Sequence, residues 1–141
     1  MNTSDTASAT EITPEDYFGP VIHSYTRAQA IADGFQVEVT ETAKEAGIKF
    51  RVFLNRTVFD QFVTVPPGVH SQDEAGRLWD IVWMLACAIR AQRESSSLIL
   101  FHLSVRNSNR GATPVTLKSV CGPVDIDDPA PAITIMLPGE D

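Results

Sequence analysis

The sequence lacks the short motifs that most often accompany enzyme chemistry. None of GxSxG, GxGxxG and the P-loop pattern occurs in its 141 residues. Metal-binding patterns are missing too, because no two cysteines or histidines have a paired spacing such as CxxC or HxxxH. The residues concerned are His23, His70, Cys87, His102 and Cys121. The sequence therefore predicts no metal and no cofactor, and it favours a non-enzymatic protein.

The sequence also has no apolar run long enough to cross a bilayer. Its first 13 residues show neither the basic start nor the apolar run of a signal peptide. Two cysteines are too few for a disulfide framework. We therefore expect a cytoplasmic protein with reduced thiols and without a membrane partner.

A strongly basic segment is missing as well. The net charge is −7, but residues 1–16 contribute −4 and residues 125–141 contribute −5. The intervening stretch carries eleven basic and nine acidic residues, a net charge of +2. This body lacks the basic footprint that is typical of nucleic-acid binding. It also lacks the spread of carboxylates that a DNA mimic requires.

The most informative stretch runs from residue 73 to residue 93, DEAGRLWDIVWMLACAIRAQR. The spacing of its apolar residues predicts a long α-helix. Trp79 and Trp83 widen the apolar stripe, which leaves only a narrow polar strip around Arg77 and Asp80. A helix that is apolar over most of its circumference is expected to be buried within the fold.

The rest of the chain predicts a disordered acidic arm over residues 1–16, followed by a single α+β domain over residues 17–141. Short helices are expected at 27–33, at 41–46 and after Asn55, with extended segments at 35–39 and 48–54. Three strands follow the long helix, at 98–105, 115–121 and 132–137. We therefore expect the long apolar helix to pack on a C-terminal three-stranded antiparallel meander, preceded by short helices and one or two short strands.

Finer features are also predicted along this chain. The first of the three strands, LILFHLSV, is apolar on both faces, which favours a central position in the sheet. Ser71 and Glu74 have the spacing of a capping box at the start of the long helix. Thr26, or the serine two residues before it, is expected to cap the helix at 27–33, and Thr40 or Thr42 the helix at 41–46. Gly122-Pro123 is expected to begin a connection.

The candidate interaction residues lie mainly on the long helix. Arg90 falls on the same side as Trp79 and Trp83, so a cation–π contact is expected. Together with Phe53 and Phe62, these tryptophans are candidates for an exposed apolar patch.

Asp80 has two interpretations. In the first, Asp80 lies on the solvent-exposed strip of the helix or pairs with a nearby arginine. In the second, it is an acidic group in a pocket that His102 and Arg106 complete. Arg106 and Arg110 flank the asparagines of a predicted turn, and with Lys118 they are the best candidate for a basic patch.

Four segments carry a resemblance to a known family. They read FGPVIHSYTRAQAIADG, QDEAGRLWDIVWMLACAIR, VTLKSVCGP and ITIMLPGED. The sequence resembles the DUF6573 family of small bacterial proteins of unknown function, from about Phe18 to Asp141. The resemblance implies a protein carried by plasmids, phages or integrative elements. It brings no catalytic residues with it, and the arm at 1–16 lies outside it.

These observations leave three hypotheses open. The first is a non-enzymatic interaction module of a mobile genetic element that binds a host or element-encoded protein, or a second copy of itself, with counter-defence as one role. The second is a small enzyme or ligand-binding domain with a pocket near Asp80, His102 and Arg106. The third is nucleic-acid binding through the hairpin of Arg106 and Arg110, which the acidic ends of the chain disfavour.

Overall fold

The computed structural model describes residues 25–141. The predicted arm at 1–16, the start of the domain at residue 17 and the alternative helix cap at residue 24 lie outside the described residues. No helix within residues 25–141 is long and apolar enough to cross a membrane.

Helices and strands alternate at first, and three long strands end the chain. The helices are α1 (Arg27–Ala32), α2 (Thr40–Glu45), α3 (Arg56–Val58), which continues as a π-helix (Phe59–Val63), and α4 (Glu74–Ala91). The strands are β1 (Gln36–Glu38), β2 (Arg51–Asn55), β3 (Leu98–Ser108), β4 (Gly111–Asp125) and β5 (Asp128–Met136). The chain is therefore α+β, as its sequence predicts.

The strands form one mixed sheet in the order β1-β2-β5-β4-β3. Strands β3, β4 and β5 pair antiparallel in sequence order, which confirms the predicted meander. Strand β5 also pairs in parallel with β2, with Val52 opposite Ile133, and β1 pairs antiparallel with β2. The early and late strands thus belong to the same five-stranded sheet, which the local sequence pattern does not predict.

The expected central position of LILFHLSV is wrong. This segment is β3, and it lies at the edge of the sheet. Phe101, Leu103 and Val105 are buried on one face, whereas Leu98 and Leu100 are exposed on the other. The central strand is β5, whose last five residues are all buried. A strand that is apolar on both faces can be buried on both faces. Whether each face is in fact covered depends on the elements that pack next to it.

The main core lies between α4 and one face of the sheet. Its fully buried side chains come from α4, β2, β4 and β5, and include Ile81, Val82, Leu85, Val52, Leu54, Leu117 and Ile135. Each such side chain contributes about 1.5–3 kcal/mol relative to its exposed state. Helix α4 is therefore fixed by its apolar stripe.

Helix α1 lies against the opposite face of the sheet. The guanidinium of Arg27 stacks over the ring of Phe53, with its Cζ atom 4.1 Å from the ring centroid. Phe53 is fully buried and forms a small second cluster with Val124 and Ala132. Phe53 is therefore not part of any exposed patch, and that expectation is wrong.

The long helix is confirmed, but its expected cap and its expected burial are wrong. The backbone of Ser71 has a φ of +62°, and the side chain of Asp73 caps α4 instead, accepting a hydrogen bond of 2.6 Å from the N–H of Gly76. The outward side of α4 is exposed at Trp83 and Met84, because no described element packs over it. Helix α4 is thus an outer layer on the sheet.

The shorter elements match the predictions in part. Thr26 caps α1 in a capping box with Gln29. Neither Thr40 nor Thr42 caps α2, since the hydroxyl of Thr40 donates to Glu38 and accepts from a backbone N–H of β2.

The predicted connection at Gly122-Pro123 is wrong. Both residues lie within β4, which continues to Asp125 before turning into β5.

Arg77 is the most unexpected residue of the core. It is expected on the wet strip of α4, yet it is only 4 % exposed. Its guanidinium donates to the carbonyl oxygens of Val63 (3.1 Å) and Arg106 (2.7 Å) and to the side-chain oxygens of Asn107 (2.6 Å) and Gln72 (3.3 Å). A single side chain therefore ties α4 to the end of the π-helix and to the end of β3.

Replacement of Arg77 is expected to destabilise the fold strongly. Arg77→Ala would leave the buried carbonyl oxygen of Val63 and three partly buried oxygen acceptors without this donor. It is expected to lower the free energy of unfolding by about 3 kcal/mol. Chemical denaturation measures this loss, with Arg110→Ala at the exposed hairpin tip as the matched control, for which a change within about 0.5 kcal/mol is expected. A loss below about 1 kcal/mol for Arg77→Ala would contradict the proposed tie.

Asp125 makes the stability of the fold dependent on pH. Its carboxylate accepts hydrogen bonds from the N–H groups of Ile126 (2.9 Å), Ala28 (3.0 Å) and Arg27 (3.0 Å). These bonds, with that from Ile126 as the largest, lower the pKa of Asp125 below its ordinary value. The carboxylate therefore stabilises α1 above the ordinary Asp pKa of about 3.9, and this stabilisation is lost as the pH falls through the lower folded-state pKa.

Asp125→Asn is expected to be less stable than the unchanged protein at neutral pH. The difference should shrink as the pH falls below about 4, because both proteins then carry a neutral group at this position. Chemical denaturation across this range measures it, with Asp127→Asn in the same turn as the control. A stability difference for Asp125→Asn that does not change with pH would exclude the carboxylate as its cause.

Candidate interaction site

The outward side of α4 presents a cluster of large apolar side chains. Trp79 and Trp83, one turn apart, stack with ring centroids 5.7 Å apart and an angle of 17° between the ring planes. Trp83 is 41 % exposed and Met84 is 37 % exposed, whereas Trp79 is half-buried. We call Trp79, Trp83 and Met84 the outer patch.

Arg90 holds the outer patch from one side. Its Cζ atom lies 5.2 Å from the centroid of the Trp83 ring, which confirms the predicted cation–π contact for this tryptophan. The same guanidinium donates a hydrogen bond of 2.9 Å to the carbonyl oxygen of Ala46, just beyond α2. The guanidinium of Arg90 is therefore fixed to the backbone next to α2 and holds the ring of Trp83 in place.

The absence of a side chain at Gly47 leaves space for the guanidinium of Arg90. Its φ of +95° ends α2, and a Cβ atom there would lie 3.1 Å from an Arg90 guanidinium nitrogen. Both the backbone conformation and this close approach favour glycine.

Asp80 lies on the exposed side of α4 beside the outer patch. Its negative charge acts on Arg77, one turn earlier. Burial lowers the pKa of Arg77, and the charge of Asp80 opposes that shift. Asp80 thus lies on a wet strip, whereas Arg77, expected on the same strip, is buried.

An open cleft of about 460 Å³ separates the outer patch from the edge of the sheet. Asp80, Trp83 and Met84 line one side, and His102 and Ser104 of β3 line the other. The Nδ1 atom of His102 lies 2.9 Å from the hydroxyl oxygen of Thr116 on β4. Of the three predicted pocket residues, the structure therefore brings Asp80 and His102 to one cleft.

Arg106, the third predicted pocket residue, does not line this cleft. Its guanidinium donates to the carbonyl oxygen of Ser108 (3.3 Å) and to the side chain of Asn109 (3.2 Å), within its own hairpin. Arg106 therefore stabilises the turn between β3 and β4.

The predicted basic patch is not assembled either. Lys118 donates from Nζ to the carbonyl oxygen of Glu140. At about 3.3 Å per residue along β4, Lys118 is roughly 25 Å from Arg110 at the exposed hairpin. Arg106 and Arg110 therefore remain the only members of the predicted set at that hairpin.

The outer edge of β3 borders the same cleft. Among residues 25–141, no strand pairs with this edge. Residues 98–105 contain no proline and no lysine, arginine or acidic residue, so they lack the side chains that usually protect an edge strand from pairing. The outer patch and this edge lie on either side of the cleft.

The exposed apolar patch that the sequence predicts does not include Met84, and it does include Phe62. Met84 follows Asp80 by one helical turn, so the same wet strip that includes Asp80 would have indicated its exposure. Phe62 is half-buried and packs against the main core. Within residues 25–141, no three histidine, cysteine or acidic side chains are grouped so that they could hold a metal ion.

A family model described as a family of unknown function, DUF6573, matches residues 16–141. The chain belongs to this family. The match begins close to the boundary that its sequence predicts between the acidic arm and the domain. No curated protein and no solved structure matches the chain.

Proposed function

We propose that this DUF6573 protein acts by binding another protein through the outer patch, without catalysing a reaction itself. The observation that supports this proposal is the exposure of Trp83 and Met84 on the side of α4 that faces away from the core. An exposed cluster of large apolar side chains is typical of an interaction site.

The composition of the outer patch, together with Arg90 beside it, supports the proposal. Tryptophan, methionine and arginine are enriched in protein interfaces, and tryptophan and arginine often account for most of the binding energy. Trp83 is already held between Trp79 and Arg90. Its ordering on binding therefore costs little conformational entropy.

The free edge of β3 offers a second means of contact. An extended segment of a partner can pair with such an edge through backbone hydrogen bonds, while side-chain pockets give specificity. The cleft beside Trp83 and His102 would receive side chains of that segment. The proposed partner therefore presents an extended segment with an apolar side chain next to it.

The kind of partner that we propose rests on the resemblance to the DUF6573 family and not on any contact in the structure. A protein of a bacterial mobile element would meet a host or element-encoded protein in the cytoplasm, and inhibition of a defence complex is one such role. A second copy of the chain is the other candidate for the outer patch.

Trp83→Ser is expected to remove partner binding and to leave the fold intact. The tagged protein and this variant would be compared by affinity capture from a bacterial lysate with quantitative mass spectrometry. We expect one stoichiometric protein with the unchanged chain and a loss of at least tenfold with the variant, which corresponds to about 1.4 kcal/mol or more.

Phe35→Ser is the matched control, since Phe35 is 60 % exposed and lies outside the outer patch. Its capture should equal that of the unchanged protein, and denaturation should show similar stability for both variants. If light scattering shows a dimer that only Trp83→Ser dissociates, the partner is a second copy. Equal capture by both variants, without such a dimer, would contradict the proposal.

The cleft itself favours a second candidate function, the binding of a small molecule. The carboxylate of Asp80 and the ring of Trp83 both line this cleft. Together they are suited to bind a cation that carries an aromatic ring. Catalysis would require a further reactive group.

Benzylamine is a suitable probe of this second candidate. It is expected to shift the indole N–H signal of Trp83 in a saturable manner by NMR, and Asp80→Asn should remove the effect because the ammonium loses its counter-charge. The melting temperature should change little, since Asp80 is exposed and acts on Arg77 only through its charge. The absence of a shift at millimolar benzylamine would rule out this ligand class.

A further inference from the structure

A second cavity, of about 400 Å³, lies beneath the C-terminal end of α4, between this helix and the sheet. Its apolar wall comes from Phe50, Ile89, Ile99 and Ile133. The segment that follows α4 lines its rim, including Ser97. Its volume is within the range of about 300–1,000 Å³ that is common for sites of small ligands.

One buried polar side chain inside this cavity has no hydrogen-bond partner among residues 25–141. Ser119 lines the cavity and is only 3 % exposed. It lies on the same face of β4 as Leu117 and Cys121, which is the face toward α4. No residue within 25–141 makes a hydrogen bond with its hydroxyl group, unlike most buried polar groups.

The side chains that line the cavity favour a neutral ligand. None of the described lining residues is a lysine, an arginine, a histidine or an acidic residue. Lys49 and Arg90 lie in the adjoining cavity on the other side of Phe50 and Ile89. Burial of an unpaired carboxylate beside Ser119 would therefore be costly, whereas a neutral acceptor would pair with the hydroxyl at little cost.

We propose that this cavity is a binding site for a small, neutral, mainly aliphatic molecule that carries one hydrogen-bond acceptor, such as a ketone or an ester. The Ser119 hydroxyl donates to the acceptor, and the aliphatic part lies against Ile89, Ile99 and Ile133. This site is separate from the outer patch, so it does not depend on the proposed protein interaction.

Cys121 provides a direct readout, because its half-buried thiol lines the same cavity. In a Cys87→Ser background, the alkylation of Cys121 by N-ethylmaleimide would be followed by mass spectrometry. Methyl hexyl ketone is the probe, and n-octane is the matched molecule without an acceptor. We expect saturable protection of Cys121, with tighter binding of the ketone than of the alkane.

Ser119→Ala tests the hydrogen bond. It should weaken ketone binding on the order of fivefold, the effect of one typical hydrogen bond, and leave octane binding unchanged. The melting temperature should not fall, because the variant removes a buried hydroxyl that makes no hydrogen bond with the part of the chain that the structure describes. Ser104→Ala is the control, because Ser104 lines the cleft beside the outer patch and not this cavity, and it should bind the ketone as the unchanged protein does.

Three results would overturn the proposal. These are the absence of saturable protection by the ketone, equal ketone affinity with and without the Ser119 hydroxyl, and tighter binding of octanoate than of the ketone. The last result would assign the ligand to the cations Lys49 and Arg90 of the adjoining cavity.

Discussion

The buried guanidinium of Arg77 is the interaction on which the geometry of this fold depends. It joins three segments that are far apart in the sequence, the end of the π-helix, the start of α4 and the end of β3. The side chains of Asn107 and Asn109 add hydrogen bonds from the β3–β4 hairpin to the backbone of Gln61 and Gly68. The long loop before α4 is thus fixed to the hairpin, which sets the direction in which α4 crosses the sheet.

The position of α4 in turn determines what each of its sides can do. Its inner side contributes Ile81, Val82 and Leu85 to the core. Its outer side carries the stacked tryptophans, and the cavity of Ser119 lies under its C-terminal end. A single helix therefore separates two proposed sites of different chemistry. One is an apolar surface for a macromolecule and the other a small cavity for a neutral ligand.

Local periodicity predicts the elements of this protein better than their arrangement. The spacing of apolar residues identifies α4, and the alternation in the last third identifies the meander. The pairing of β2 with β5 joins residues about eighty positions apart, for which no local pattern exists. The burial of Arg77 cannot be predicted locally either. A charged side chain is expected to be exposed to solvent unless the hydrogen-bond acceptors around it are known. Of the candidate site, the tryptophans and Arg90 follow from helical spacing, but the exposure of Met84 and the burial of Phe53 depend on which faces are covered.

The parallel pairing of β5 with β2 also has a meaning for the order of folding. The sheet consists of an early pair, β1 and β2, and a late pair, β3 and β4, and β5 is inserted between them. During synthesis, neither pair can be joined to the other until Met136 has left the ribosome. Until then, the apolar stripe of α4 faces an incomplete sheet and is only partly covered. Strand β5 is therefore the element that joins the two parts of the sheet and completes the core.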